Sequence, residues 1–162
     1  MPDARRRAHD HRVRAHLGRD GPSAILVGVD GSETSLRAAA YAAGLARRQR
    51  TKLVAVYVRT QPAAMLTLAD HMGLATKEVL DAQDEIEAQL REALQVQTRN
   101  WDVDAQLVVR SGDPLVVLAE VAREVRADAV IVGSSAHPAH RIAGSLAIRL
   151  VQARRWPVTV VP

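Results

Sequence analysis

Five apolar runs punctuate this chain, and the stretches between most of them repeat their apolar residues at helical spacing. Residues 24–29 (AILVGV), 53–58 (LVAVYV) and 129–133 (AVIVG) are continuous apolar segments. Runs of that length, bounded by polar or glycine-containing turns, read as strands buried on both faces. Residues 103–109 (VDAQLVV) alternate in part and read as a further strand. Residues 157–162 (PVTVVP) close the chain as a fifth, and proline at both ends confines it to an edge or to pairing with something else. Between these runs, residues 33–50, 77–99, 114–125 and 144–155 carry apolar residues at helical spacing. A short helix can also fall within residues 64–74.

Local signals support those boundaries. Asp30-Gly31 ends the first run, and Ser32 is placed to cap the helix that follows. Ser111-Gly112-Asp113-Pro114 is a turn with proline at a helix start. Strands alternating with helices call for a parallel sheet with right-handed crossovers. The expected fold is therefore α/β: a five-stranded parallel, doubly wound, Rossmann-like sheet with about four helices. Ligands in such folds sit beyond the carboxyl ends of the strands, where strand order reverses. Here that points to the loops after strands one and four, holding Asp30-Gly31-Ser32 and residues 133–145.

Composition narrows the chemistry. At 162 residues the chain makes one domain with a tail. Aromatic residues are only 2% and phenylalanine is absent, so Ala, Val, Leu and Ile must build the core. Without cysteine there is no disulfide scaffold, zinc-thiolate site, iron–sulfur cluster or thiol nucleophile. No apolar run reaches the ~18–20 residues of a membrane span. No signal-peptide pattern opens the chain. The expected location is cytoplasmic.

Net charge is +4, but residues 1–20 hold six arginines and three aspartates and so carry +3 of it. Residues 1–22 read as a flexible Arg- and His-rich arm, with a tether to an anionic surface or to nucleic acid as the functional alternative. Residues 23–162 read as the folded domain. Its near-neutral charge gives no reason to expect nucleic-acid binding.

Asp30 can accept from an adenine amino group or a ribose hydroxyl, hold a metal, or simply close a turn at the helix start. Gly133-Ser134-Ser135 and Gly144-Ser145 combine glycines with a helix N-terminus, which suits a phosphate. The alternative is a loop that needs glycine for local geometry. His137, His140 and Arg141 lie in the same loop and are as well explained as surface residues. No nucleophile is paired with a base and an orienter. The Gly-Lys-Ser ending of a P-loop is missing.

Residues 25–32 (ILVGVDGS), 109–114 (VRSGDP), 127–134 (ADAVIVGS), Gly144-Ser145 and 156–162 (WPVTVVP) together resemble a universal stress protein domain. The resemblance covers residues 23–162. It implies homodimers joined through the last strand, at about 157–161. It also implies an adenine-nucleotide site, with ATP first among the candidates and Mg2+ as its companion. Nucleotide-binding members carry Gly-x2-Gly-x9-Gly-Ser/Thr. Asp30 matches the acidic residue near adenosine, and Val58 the position whose backbone meets adenine. Gly133 matches the first motif glycine, and Gly144-Ser145 the final pair. The motif neighbours Val132, Ser134 and Leu146, with Arg141 in the loop, complete the expected ligand-binding set.

Two departures stand out. Ala136 replaces the middle glycine, and only seven residues, Pro138 among them, separate it from Gly144. The implied function is a dimeric stress-response protein that binds an adenine nucleotide as a sensor or regulator without efficient turnover. The altered loop keeps a second reading open: a nucleotide-independent interaction protein of the same fold, acting on a protein partner the sequence does not name.

Overall fold

The computed structural model describes residues 23–60, 74–134 and 146–162. In chain order these form β1 (Ala24–Val29), α1 (Glu33–Gln49), β2 (Lys52–Arg59), α2 (Leu74–Trp101), β3 (Ala105–Ser111), α3 (Pro114–Glu124), β4 (Ala127–Gly133), α4 (Leu146–Ala153) and β5 (Val158–Val161). The strands form one parallel sheet in the order β3-β2-β1-β4-β5. The expected α/β fold is present, and β5 lies at an edge as its flanking prolines require. The arm at 1–22, the expected helix within 64–74 apart from Leu74, and most of the loop after β4 lie outside the described residues.

Alternation along the central strands splits the core into two layers. Ile25, Val27 and Val29 of β1, with Leu53, Ala55 and Tyr57 of β2, face α1 and α2. Leu26 of β1, Val54 and Val56 of β2, and Val130 and Val132 of β4 face α3 and α4. A strand covered on both sides must be apolar at every position, which is why these segments read as continuous runs. Alanines carry the buried stripe of α1: Ala38, Ala42, Ala43 and Ala46. Small side chains let the helix lie close to the sheet in a core without phenylalanine.

Most element ends shift by one to three residues from expectation, α2 for example running from Leu74 to Trp101 instead of 77–99, and three shifts have a clear backbone reason. Strand three begins at Ala105 and runs to Ser111 instead of spanning 103–109. Val103 is buried but precedes the ladder, while Arg110 and Ser111 pair with Val58 and Arg59 of β2. Ladder bonds use main-chain groups, so polar residues extend a strand that side-chain pattern alone would end. Strand four begins at Ala127, two residues early, because Ala127 pairs with Ala24. The register then slips past Asp128, whose Oδ2 accepts from the amides of Ser23 (2.7 Å) and Ala24 (3.1 Å). Helix α4 stops at Ala153 instead of 155, with Arg154 in a left-handed conformation at φ 52°.

Candidate functional site

Strand order reverses between β1 and β4. The chain builds outward from β1 through β2 to β3, then crosses the opposite face to β4 on the other side of β1. Helices α1 and α2 cover one face and α3 and α4 the other, so their crossovers leave a crevice at the carboxyl ends of β1 and β4. The β1–β2 register ends at Val29 beside Tyr57, which sets Asp30 alongside Val58. The β4–β5 register ends at Gly133 beside Val161.

Asp30 anchors the near wall. Its Oδ1 accepts from the Ser32 amide (2.9 Å) and the Ser32 hydroxyl (2.6 Å), closing a tight turn. The Ser32 hydroxyl accepts in turn from the Ser35 amide (3.3 Å) and caps α1. The Ser35 hydroxyl donates to the Ser32 carbonyl (2.9 Å) and accepts from the Asp30 amide (3.3 Å). Burial pushes the Asp30 carboxyl up, but the hydrogen bonds from Ser32 and Ser35 together outweigh it and hold the group below its ordinary value. It is therefore a carboxylate at neutral pH. Its Oδ1 holds the turn, while the residue as a whole stays exposed at the end of β1. The structural and ligand-binding readings of Asp30 are compatible.

The turn itself requires Gly31. Its φ is +82°, and a Cβ there would stand 3.1 Å from a methyl of Ile86 on α2. Gly133 is required more strictly. A Cβ on it would lie 2.6 Å from the carbonyl carbon of Thr34 and 2.8 Å from the Ser35 nitrogen. The end of β4 is thus pressed against the first turn of α1. The Ser134 amide donates to the Val161 carbonyl (2.7 Å) and extends the pairing with β5.

The other expected site residues divide into two groups. Val58 is partly buried and packs with the α3/α4 layer, as does buried Val132. Leu146 is the first residue of α4, partly buried against the same layer. Asp30, Val58, Val132, Gly133 and Ser134 all stand at the carboxyl ends of adjacent strands. Arg141, Gly144 and Ser145 lie outside the described residues, as do His137 and His140. Among the described residues no group of three or more acidic or histidine side chains is placed to hold a metal ion.

Sequence reasoning passed over a charged clasp beside this crevice. Arg59, at the end of β2, reaches α2 and binds Asp84 (2.6 Å) and Glu87 (Nε to Oε2, 3.0 Å). Arg91 holds the other Glu87 oxygen at 2.6 Å. Hydrogen bonds from Arg91 and then Arg59 hold the Glu87 carboxyl below its ordinary value. Buried Gln83 donates to the Thr60 carbonyl (2.8 Å), giving α2 a second tie to the end of β2. Helical spacing of Gln83, Asp84 and Glu87 was visible in the sequence, but their partner at the end of β2 was not. Beneath the clasp, burial pushes the Tyr57 phenol up, so it stays neutral.

Across the crown, Asp113 caps α3 by accepting from the Val116 amide (3.1 Å). It also meets Arg149 of α4 at 3.4 Å.

A model of the universal stress protein family matches residues 23–162. The chain belongs to that family. Solved structures agree with the assignment. A universal stress protein family member from Burkholderia pseudomallei is 27% identical, with a TM-score of 0.66 over 86% of this chain and 96% of that one. A universal stress protein in complex with cAMP is 22% identical, with a TM-score of 0.59 over 88% of this chain and 98% of that one. One from Archaeoglobus fulgidus in complex with dAMP is 18% identical, with a TM-score of 0.58 over 88% of this chain and 100% of that one. No curated protein matches the chain. Among the described residues of this universal stress protein, no helix is long and apolar enough to cross a membrane.

Proposed function

We propose that this universal stress protein binds an adenine nucleotide in the crevice at the ends of β1 and β4 and acts as a dimeric stress-response sensor or regulator without efficient turnover. The observation that carries the reading is Asp30. It is ionised, fixed by Ser32 through Oδ1, and exposed at the end of β1 where strand order reverses. A pre-oriented carboxylate suits the hydroxyls of a ribose or the amino group of adenine, because no side-chain ordering is needed on binding. The relatives solved with cAMP and dAMP are complexes with adenine nucleotides, which supports the same ligand class. ATP with Mg2+ is the specific ligand proposed. Arg141, Gly144 and Ser145 would meet its phosphates, with the α4 N-terminus adding partial positive charge.

Dimer formation through β5 is part of this proposal. Its outer edge pairs with no strand among the described residues. Val160 there, and Ile148 and Val151 on α4, are large apolar side chains 44–55% exposed. An open edge with apolar neighbours is a surface that a second copy covers.

A second reading keeps the fold and drops the ligand: an interaction protein acting on another protein. Gly133 and the Ser134 amide favour it, since both already serve internal packing and strand pairing. Heat-denaturing the purified protein and separating released small molecules by ion exchange decides between them. A near-stoichiometric adenine nucleotide establishes binding. An empty protein with no thermal shift in millimolar ATP, AMP or cyclic AMP points to the second reading and moves the search to protein partners.

A further inference from the structure

Helices α1 and α2 do not close over the sheet between them. They leave an apolar trough of about 160 Å3, separate from the crevice. Ala55, at the centre of β2, forms its floor, flanked by Val27 of β1 and Leu107 of β3. On the α1 side the wall is largely Ala39, Ala40 and Ala43; on the α2 side it is Leu90, Ala93 and Leu94. Five of its twelve lining residues are alanine, and a larger aliphatic side chain at several of those positions would fill the space.

We infer that this trough is a binding site for a small, uncharged, apolar molecule about the size of one aromatic ring. Three observations carry the inference. All twelve lining residues are apolar, so a water in the trough finds no side-chain partner there. An ordered water needs about two to four hydrogen bonds, and an enclosed apolar cavity of about 150 Å3 takes up benzene, so the trough's volume suits one ring. The same lining offers a charged group no side-chain partner, which favours a neutral ligand. The trough is also reachable from solvent: Leu36 is 45% exposed at its mouth, and Ala40 and Ala93 beside it are exposed. The inference does not depend on nucleotide binding, because no lining residue belongs to the proposed nucleotide site.

The test uses the full chain with methyl-labelled leucine and valine. Benzene and indole are titrated in, with benzoate and benzylamine as charged controls. Saturable shifts at the methyls of Val27, Leu90, Leu94 and Leu107 with the neutral probes, and none with the charged ones, are expected. Ala93→Leu extends a helix-compatible side chain into the mouth from an exposed position, so the fold survives and those shifts should be lost. No saturable shift in the folded wild type would overturn the inference. So would retention of the same shifts in the Ala93→Leu variant.

Discussion

Gly133 and Thr34 meet backbone to backbone: a Cβ on Gly133 would stand 2.6 Å from the Thr34 carbonyl carbon. No rotamer change relieves that contact, because the blocking atoms are main chain at the start of α1. Gly133→Ala should therefore destabilise the fold by about 1–3 kcal/mol, the usual range for overpacking a tight core. Denaturant unfolding at neutral pH measures it. A stability equal to wild type would show that α1 can slide at no cost.

Asp30 separates charge from shape. Asp30→Asn keeps a side-chain oxygen for the Ser32 turn and removes the carboxylate. Losing one charge-assisted hydrogen bond costs about 1.5–3 kcal/mol, so nucleotide affinity should fall by roughly ten- to a hundredfold while the fold is retained. Calorimetric titration of both proteins checks this. Equal affinities would remove Asp30 from the site.

The clasp of Arg59, Asp84 and Glu87 fixes the middle of α2 to the end of β2. Arg59→Ala leaves the two carboxylates without their shared cation. Amide exchange in α2 around residues 80–90 should accelerate, with the difference from wild type largest at low salt, where exposed ion pairs are least screened. Unchanged protection at low salt would mean that packing, not charge, holds α2 there.

Acid stability should expose the α3 cap. The Val116 amide, then Arg149, holds the Asp113 carboxyl below its ordinary value. A depressed carboxylate contributes stability that is full above the unfolded-state value, ~4, and is lost as pH falls through the lower folded-state value. Asp113→Ala should thus lower Tm at pH 7, and the deficit should shrink as pH drops below about 4. Thermal melts of both proteins between pH 7 and 2 follow the convergence. A deficit independent of pH would assign the loss to helix propensity alone.

The β5 edge is tested with one charge. Val160→Lys places an ammonium on the exposed apolar strand. Light scattering after size exclusion should show a dimer for the wild type and a monomer for the variant, with unchanged circular dichroism. A dimeric variant would move the interface elsewhere.

Much of this fold was legible in the pattern of residues. Continuous apolar runs marked β1, β2 and β4 because each is covered on both faces. Ser32 announced the start of α1 because a cap is a local hydrogen bond, and the turn ending in Pro114 marked the start of α3. The crevice was placed by topology, since alternating strands and helices dictate where a parallel sheet opens. Five of the expected ligand-binding positions, Asp30, Val58, Val132, Gly133 and Ser134, do gather there.

What only the tertiary structure decided depends on distant main-chain groups. The limits of β3 and the slip at Asp128 follow from ladder partners on other strands, which a residue's own type does not encode. The clasp needed Arg59 and Glu87, 28 residues apart, to be brought together. That Gly133 touches Thr34, and that α1 and α2 leave a trough above Ala55, are facts about how helices settle on a sheet. Hydrophobic pattern specifies which faces are buried, but steric fit between whole elements sets how closely they approach.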